Sequence, residues 1–257
     1  MILVKLGGSV LTTKGGAKRV RSQVLARLAR ELAGDQPLVV LHGAGSFGHT
    51  LAKKARLREG IQIAKQRHAA SQVQADVRTL HNHVLVALQQ AGLRPFSLPP
   101  GQVAYASGGE LQAIAMSPFR LALQQGFTPV TCGDVLLDDK QGVAIVSADT
   151  IAEALAAALQ AERMVFATDV DGIFTAPPGK RGAKLIDRIT PAALRALPLG
   201  GSSKTDVTGG MAGKGRAIAA IAELGCGVWV VNGLEPGRVR DAVRGGRPVG
   251  TRVALEG

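Results

Sequence analysis

Two kinds of hydrophobic pattern alternate along the chain. Short runs that are almost wholly apolar are typical of buried strands, whereas apolar residues that recur every three or four positions are typical of helices with one buried face. The runs predict strands at 2–6, 38–41, 96–98, 127–131, 135–137, 143–146, 164–167, 228–231 and 251–254. The spaced pattern predicts helices at 22–33, around 73–88, 118–125, 150–159, 211–224 and 238–243, with a short helix after 190.

This alternation of strands and helices predicts an α/β fold. A mainly parallel sheet covered on both faces gives a three-layer α/β/α sandwich, and such sheets bind ligands beyond the carboxyl ends of their strands. The 257 residues, 46% of them hydrophobic, are enough for one large domain or two small ones. Since no linker, repeat or low-complexity tail interrupts the pattern, we expect a single domain over 1–257.

The most informative stretch is LVVLHGAGSFGH, which runs from Leu38 to His49. Its apolar half predicts a buried strand, and its second half is a loop with glycines at 43, 45 and 48. Glycines let a loop present bare backbone N–H groups to a phosphate, and Ser46 offers a hydroxyl donor as well. His49 follows the last glycine, where we expect a helix to begin, and a helix N-terminus attracts anions. The stretch therefore predicts an anion site with a histidine directed into it.

The same loop, residues 43–48, also matches the G-x-G-x-x-G pattern of dinucleotide-binding turns. That interpretation requires a short βαβ unit with an acidic residue about 20 positions further on, at the end of the next strand. Here the following segment is basic and helical, and no such strand appears. A P-loop needs G-x-x-x-x-G-K-[ST], and neither Gly213-Lys214 nor Lys204-Thr205 completes one. A dinucleotide-dependent oxidoreductase remains the alternative from another enzyme class.

Charge and composition narrow the choice of partners. The net charge of +12 suits either nucleic acid or an anionic small molecule, but the basic residues are scattered and aromatic residues make up only 3%. We therefore expect a small-molecule substrate and no nucleic acid, for which salt-dependent retention of DNA or RNA is the test. Cys132 and Cys226 lie far apart without metal-ligand spacing, which favours a reduced, cytoplasmic setting. No signal peptide and no apolar run of about 18 residues appears, so no membrane partner is expected.

Five motifs occur in a particular order along the chain. They are KLGGS at 5–9, HGAGSFGH at 42–49, SAD at 147–149, TDVDGI at 168–173 and GGMAGK at 209–214. Together they resemble the amino acid kinase superfamily over essentially the whole chain, and HGAGSFGH with its closing histidine resembles the isopentenyl phosphate kinase family. That family transfers the γ-phosphate of ATP to isopentenyl phosphate, which gives isopentenyl diphosphate. The resemblance implies a homodimeric transferase of isoprenoid precursor synthesis by a mevalonate pathway, with direct in-line transfer and no phosphoenzyme.

The resemblance also implies roles for individual residues. Those implied in ATP binding are Lys5, Gly7, Gly8, Ser9, Gly45, Asp169, Phe174, Gly179, Gly210 and Lys214. Those implied in binding the acceptor are Ala44, Gly45, Gly48, His49 and Ala148. The implied catalytic residues are Lys5, Lys14, His49, Asp149 and Lys214. In this set Lys14 stabilises the transition state and Asp149 orients the lysines, because two anions must be held in line for the transfer.

The two halves of the chain are expected to hold different substrates. About 1–145 should bind the acceptor, with its apolar tail near the segment 51–109, and about 146–257 should bind ATP. No carboxylate cluster suggests a metal site of the protein itself, so Mg²⁺ is expected to arrive with ATP and to keep several waters. The rival within the superfamily is a kinase that acts on a phosphonate such as fosfomycin or on a carboxylate.

Simpler structural roles remain open for several of these residues. Lys14 is also consistent with a solvated loop lysine, and Asp149 with a helix N-cap. Asp171 is expected to form a turn, and His42 is expected to be structural. Three histidines on or near the long helix are expected at the surface or at the edge of the core: His68, His81 and His83. The two cysteines are expected to be buried small residues.

Overall fold

The computed structural model describes residues 1–13, 18–197 and 210–255, without the side chains of 210 and 211. Its strands are β1 Ile2–Leu6, β2 Leu38–His42, β3 Pro95–Ser97, β4 Ala104–Ser107, β5 Glu110–Ile114, β6 Thr128–Cys132, β7 Asp134–Asp138, β8 Gly142–Val146, β9 Arg163–Thr168, β10 Arg188–Ile189, β11 Gly227–Asn232 and β12 Gly250–Val253. Its helices are α1 Gly8–Leu11, α2 Ser22–Leu32, α3 Gly45–Lys54, α4 Ala64–Gln90, α5 Pro100–Val103, α6 Ser117–Gln124, α7 Ala148–Ala158, α8 Pro191–Ala196, α9 Gly210–Glu223 and α10 Arg238–Val243, with a 3₁₀ turn at Leu57–Glu59. Lys14 and most of the loop predicted at 200–210 lie outside the described residues.

Eight strands form one sheet in the order β10-β12-β11-β9-β1-β2-β6-β3. Neighbouring strands run parallel, except β11 and β12, which are antiparallel. Leu6, at the end of β1, lies between His42 of β2 and Ala167 of β9. The predicted α/β fold with a mainly parallel sheet is therefore confirmed, and the carboxyl ends of β1, β2, β6, β9 and β11 share one edge.

Helices cover both faces of this sheet because successive residues of a strand point to opposite sides. On β1, Leu3 joins a core built with α6, α7, α8 and α9, whereas Val4 joins a core built with α2, α4 and α10. The strand β2 is buried along its whole length, as is typical of a parallel sheet covered on both sides. Within the described ranges, no helix combines the length and the apolar character that a bilayer-spanning segment needs.

A second sheet of four strands has the order β5-β4-β7-β8. The sequence predicts the hairpin β7–β8, but it gives no signal for β4 and β5, whose residues apart from Ala106 are exposed or only partly buried. Their turn depends on Asp138 of β7, whose carboxylate accepts the N–H groups of Gly108 and Gly109 at 3.0 and 2.7 Å. Both glycines have positive φ angles, 60° and 88°. A contact from another strand of the sheet therefore stabilises the β4–β5 hairpin. The local hydrophobic pattern alone does not reveal this hairpin.

The helix after the central glycine loop begins earlier than the sequence predicts. α3 begins at Gly45, inside the loop, rather than at His49. The N-cap Ala44 has helical dihedral angles, with φ −69° and ψ −23°, and Gly45, the first residue of the helix, has a positive φ of 52° that glycine adopts without strain. The first turn of α3 is therefore made of the glycine motif itself, and its N-terminal N–H groups belong to the loop that was predicted to bind an anion.

Thr131, inside the buried strand β6, has a side-chain hydroxyl for which the described part of the chain offers no hydrogen-bond partner. We expect Thr131→Val to raise the free energy of unfolding by about 1 kcal/mol, because valine fills the same space without an unsatisfied hydroxyl. Urea titration measures the change. The matched control is Thr251→Val, which should lower stability because the buried Thr251 hydroxyl accepts the Ile173 N–H at 2.7 Å. Equal losses in the two variants would contradict the prediction.

Candidate functional site

A glycine directly follows each of four strands, β1, β2, β6 and β11, at the carboxyl edge of the sheet. Each glycine continues the backbone hydrogen bonding with the neighbouring strand by one residue. The N–H groups of Gly7, Gly43, Gly133 and Gly233 donate to the carbonyls of Ala167, Leu6, His42 and Thr168 at 2.9, 3.0, 3.0 and 2.8 Å respectively. These bonds draw the loops that follow β1, β2, β6 and β11 together across the edge of the sheet. In parallel α/β sheets, this edge is where ligands bind.

The loops after β1 and β2 touch each other backbone to backbone. A Cβ added at Gly8 would overlap the backbone nitrogen of Gly45, and one added at Gly43 would lie 2.7 Å from the nitrogen of Gly8. A Cβ at Gly45 would overlap the hydroxyl of Thr12, and this glycine also has a positive φ of 52°. We call this contact between residues 7–9 and 43–46 the glycine interlock. Only glycine permits the N-termini of α1 and α3 to meet in this way.

Thr12 fastens the glycine interlock with its side-chain hydroxyl. The hydroxyl donates to the carbonyl of Gly8 at 2.8 Å and accepts the N–H of Ser46 at 3.0 Å. One donor and one acceptor on a single oxygen thus hold α1 against the first turn of α3. The loop geometry is therefore fixed by the fold itself.

Lys5 is a buried cation at the end of β1. Its side chain is only 8% exposed, its ammonium contacts Oδ1 of Asp149 in the first turn of α7, and its Nζ lies 5.9 Å from the centre of the Phe166 ring. The N-cap of α7 is Ser147, whose hydroxyl accepts the Thr150 N–H at 3.0 Å. The alternative prediction, that Asp149 is the N-cap of α7, is therefore wrong. Asp149 instead directs a carboxylate at Lys5 from the first turn of α7.

Two aspartates after β9 have different surroundings. The hydroxyl of Ser9 donates to Oδ1 of Asp169 at 3.0 Å, which links the loop after β1 to the end of β9. Asp171 accepts the side-chain amide of Asn232 at 3.0 Å and pairs with Arg238 at 2.6 Å. The hydrogen bond from the Asn232 side-chain amide, and then the Arg238 guanidinium, lower the pKa of Asp171. Asp171 therefore holds the loops after β9 and β11 together, in line with the structural role expected for it.

The residues predicted to bind the acceptor lie on α3 and at the start of α7. His49 is half-buried and lies one turn into α3. A Cβ added at Gly48 would lie 3.3 Å from Val77 of α4, so this glycine permits close packing of α3 on α4. Ala148 is buried, and its nitrogen would lie 2.8 Å from a Cβ added at Gly133. Glycine thus brings the start of α7 against the end of β6.

The residues predicted to bind ATP fall in two further segments. Phe174 forms an isolated bridge with Leu185, and the loop between them includes Gly179, which has a φ of 89°. Gly210 is the first residue of α9, and Lys214 is half-buried in that helix. Lys14 lies outside the described residues, so its position relative to Lys5 and Lys214 remains a prediction.

A buried polar cluster lies beside the site, and the sequence analysis missed it. His42 Nε2 and His81 Nδ1 are 2.9 Å apart, and His81 Nε2 lies 2.9 Å from the Ser97 hydroxyl. His81 is 1% exposed, so its expected place at the surface or core edge is wrong. Its spacing from Val77 and Val84 of α4, which are both buried, is the signal that indicates a buried histidine. Cys132 and Cys226 are buried, as expected.

Burial keeps both histidines of this cluster neutral. It lowers the pKa of His42 to about 3, with His81 acting in the same direction, and lowers the pKa of His81 to about 4, with help from Arg78. Burial also raises the pKa of the Cys132 thiol to about 12. Arg78 in turn pairs with the buried carboxylate of Asp134. At neutral pH the cluster therefore consists of neutral rings, a thiol and one ion pair.

Acid should destabilise the protein through His42 and His81. Their folded-state pKa values of about 3 and about 4 lie below the ordinary value of 6.5. Between these limits the unfolded chain binds more protons than the folded chain, so the free energy of unfolding falls as the pH drops below about 6.5. The melting temperature, followed from about pH 7.5 to about pH 4.5, measures the loss.

The matched variants for this acid effect are His81→Gln and His83→Gln. The first removes one buried titrating group and should flatten the pH dependence, whereas the second alters an exposed residue and should leave it as in the native protein. Burial raises the pKa of Asp134, which acts on stability in the direction opposite to the histidines, so the test rests on the difference between variants. An unchanged slope in His81→Gln would contradict the assignment.

Comparison with known proteins places this arrangement among kinases. The model of the amino acid kinase family matches residues 1–232. The isopentenyl phosphate kinase of Methanothermobacter thermautotrophicus is 35% identical over 264 positions, covering 98% of each chain. That of Thermoplasma acidophilum is 30% identical and covers 94% of this chain and 95% of its own. An X-ray structure of isopentenyl phosphate kinase has a TM-score of 0.85 at 31% identity and covers 98% of this chain and 99% of its own.

Proposed function

The chain belongs to the amino acid kinase family, and we propose that within this family it acts as an isopentenyl phosphate kinase. It transfers the γ-phosphate of ATP to isopentenyl phosphate and releases isopentenyl diphosphate and ADP, as a step of isoprenoid precursor synthesis in the cytoplasm. The observation that carries this proposal is the similarity, over nearly the whole length, to relatives that bear this name. The site described above supplies the chemical reasons.

The carboxyl edge of the sheet suits transfer between two phosphorylated molecules. Donor and acceptor are both anions, so the reaction needs positive charge and N–H donors around the transferred group. The glycine interlock presents the N-termini of α1 and α3 within one small region, and Lys5 adds a buried ammonium at the end of β1. Positioning by such groups supplies most of the catalysis, so we propose direct in-line transfer without a phosphoenzyme.

Individual roles follow from this proposal. The segment about 1–145 holds the acceptor phosphate through Ala44, Gly45, Gly48 and His49, and Ala148 at the start of α7 completes this set. The ATP phosphates contact residues of the first glycine turn and of α9, namely Lys5, Gly7, Gly8, Ser9, Gly45, Gly210 and Lys214. The nucleotide is held by the end of β9 and the loop after it, through Asp169, Phe174 and Gly179. Lys14 stabilises the charge of the transition state, and Asp149 orients Lys5.

Mg²⁺ enters this reaction as part of the ATP substrate. Within residues 1–13, 18–197 and 210–255, the one group of three ligand-type side chains is His42, His81 and Cys132, a nitrogen and sulfur set that Mg²⁺ does not favour. The carboxylates at the site edge are engaged, Asp149 with Lys5 and Asp169 with Ser9. We therefore propose that phosphate oxygens and water supply most of the Mg²⁺ ligands.

The test of the function is a comparison of acceptors with ATP and Mg²⁺. Isopentenyl phosphate should give the highest kcat/KM, followed by dimethylallyl phosphate. Fosfomycin and N-acetylglutamate represent the phosphonate and carboxylate alternatives and should be poor substrates. A preference for either of them, or a change in nicotinamide absorbance with NAD and no transfer from ATP, would overturn the proposal.

We also propose a homodimer that forms at the edge of the eight-stranded sheet. The end strand β3 exposes Phe96 by 45%, and Phe127 beside it is 40% exposed, with 5.4 Å between the two ring centres. An unpaired strand edge with aromatic side chains is a natural contact for a second copy related by a two-fold axis.

Phe96→Glu should convert this dimer to a monomer, because it places two charges in the contact. Light scattering after gel filtration measures the molar mass. Leu224→Glu is the matched control, since Leu224 is 53% exposed at the end of α9 and should not affect assembly. A native protein that is a monomer, or a Phe96 variant that remains dimeric, would contradict the proposal.

A further inference from the structure

The buried cluster beside the site has a role that the proposed function leaves unassigned. We propose that His42 and His81 are positioning residues that fix the Gly43–Ala44 peptide, so that the Ala44 N–H faces the acceptor phosphate. This inference rests on the proposed function, which assigns the Ala44 backbone to the acceptor. It assigns no proton transfer to either histidine.

The hydrogen bonds of the cluster fix both ring tautomers. His42 Nδ1 lies 3.2 Å from the Gly43 carbonyl, which can only accept, so Nδ1 carries the proton. In a neutral ring the other nitrogen then accepts, so His81 Nδ1 must donate across the 2.9 Å contact to His42 Nε2. His81 Nε2 is left as an acceptor for the Ser97 hydroxyl at 2.9 Å. A one-directional chain therefore runs from Ser97 on β3 to the carbonyl of Gly43.

The surroundings of the two rings maintain this neutral, ordered state. His42 is fully buried and His81 is 1% exposed, so neither ring has room to turn. The charged groups that face them are Arg78 and Asp134, which pair with each other, and the Cys132 thiol lies 3.4 Å from Arg78 Nη1. The positive charge of Arg78 opposes protonation of either ring. The hydrogen-bonded chain thus keeps its direction at neutral pH.

A metal ion is the competing explanation for this cluster. The ligand atoms of His42, His81 and Cys132 all lie within 4.8 Å of one another, as they would around Zn²⁺. However, both candidate ring nitrogens already share a hydrogen bond, and the Arg78 guanidinium contacts the sulfur that would have to bind as a thiolate. The hydrogen-bonded chain accounts for each of these contacts, whereas a cation would have to disrupt them.

Peptide geometry carries the effect from the buried chain to the site. In a trans peptide the N–H points opposite to the C=O of the preceding residue. Because the Gly43 carbonyl is held toward the buried His42 ring, the Ala44 N–H must point away from the core. The Gly43 N–H is held as well, by the Leu6 carbonyl at 3.0 Å. Ala44 is the N-cap of α3, so this N–H lies at the helix terminus predicted to bind an anion.

Two substitutions of His42 test separately the hydrogen bonds made by its Nδ1 and by its Nε2. Asparagine places an amide near the position of Nδ1 and retains a donor for Gly43, whereas glutamine reaches the position of Nε2 and retains the contact with His81 only. Both bury an amide at the same place, so their effects on stability should be similar. We expect His42→Gln to raise KM for isopentenyl phosphate about tenfold, with KM for ATP changed less than about twofold. His42→Asn should restore KM to within about threefold of the native value.

The outcomes distinguish failure of this inference from failure of the proposed function. If the native enzyme prefers another phosphorylated acceptor, the KM of each His42 variant is compared with that of the native enzyme for that acceptor and for ATP. This comparison still tests whether His42 positions the Ala44 N–H. Equal KM values in the two variants, or parallel increases in both KM values, would overturn this positioning role. Thr131 is buried nearby but takes no part in the hydrogen-bonded chain of Ser97, His81 and His42, so Thr131→Val should leave both KM values unchanged.

Direct observation of the tautomers needs no variant. The chain has five histidines, so two-bond nitrogen–proton NMR spectra of the native protein labelled with ¹⁵N-histidine are tractable. Two rings, those of His42 and His81, should show the Nδ1–H form with an unprotonated Nε2 and should not titrate between about pH 8 and about pH 5.5, and His42→Gln should remove one of the two sets of signals. An Nε2–H tautomer for His42 would overturn the inference. So would stoichiometric Zn²⁺ in the purified protein that alters these signals.

Discussion

Lys5→Met is expected to lower kcat by about a thousandfold, the largest effect among the substitutions considered. The ammonium of Lys5 is buried at the end of β1 and faces the edge where the phosphates are proposed to meet. A preorganised cation in a site with little water stabilises developing negative charge more than an exposed one, and loss of one such group costs about 10²- to 10³-fold or more. Steady-state kinetics with isopentenyl phosphate and ATP measures the loss.

The control for Lys5→Met must separate catalysis from folding. Removal of Lys5 leaves the Asp149 carboxylate, whose side chain is 13% exposed, without the ammonium that it contacts, and the loss of one partner of a largely buried ion pair lowers stability by up to about 3–5 kcal/mol. The double variant Lys5→Met with Asp149→Asn removes that charge and should regain much of the stability but none of the activity. If the double variant regained activity, or if Lys5→Met retained more than a tenth of the native kcat, the catalytic role of Lys5 would be refuted.

His49→Ala is expected to reduce kcat/KM for isopentenyl phosphate by about a hundredfold. An imidazole near the acceptor phosphate gains a proton easily, and the added charge reduces the repulsion between the two reactants. The loss should appear with the acceptor varied, while KM for ATP stays close to its native value. His49→Gln retains a hydrogen-bond donor without the charge, so it should fall between alanine and the native residue.

His83→Ala provides the matched control for His49. Both are histidines on helices, but His83 is exposed on α4 and away from the glycine interlock. Its replacement should leave kcat/KM within about twofold of native. Near-normal kinetics in His49→Ala, or equal effects of the two substitutions, would remove His49 from the acceptor site.

The central sheet could be predicted because each of its strands is indicated by the hydrophobic pattern of its own few residues. A strand such as β2 is buried on both faces, so it appears as a continuous apolar run that ends where the glycines begin. Parallel pairing then places every such end at one edge, which is why motifs far apart in sequence predict a common site. The contact of Lys5 with Asp149 does not follow from this rule, because Asp149 lies in the first turn of α7, after β8 of the four-stranded sheet; only the family resemblance implied it.

The features that escaped prediction depend on contacts between distant segments. The strands β4 and β5 have little hydrophobic pattern, and their turn is held by Asp138 of another strand. His81 looks like a surface residue until its place in the buried stripe of α4 is combined with the polar end of β2. Asp149 was open as the N-cap of α7 because Ser147 and Asp149 are both good N-cap residues, and the hydrogen bond from the Thr150 N–H to the Ser147 hydroxyl decides for Ser147.

The contact between the turns after β1 and β2 limits how this protein can diverge. A side chain at Gly8 or Gly45 would have to displace the other turn, so neither position can change alone without disturbing both turns of the proposed phosphate site. Gradual adaptation to a new acceptor therefore has to proceed through residues on helix surfaces, where changes are independent of one another. In a mutational scan we expect these two positions to tolerate no replacement, even under selection for a different phosphorylated substrate.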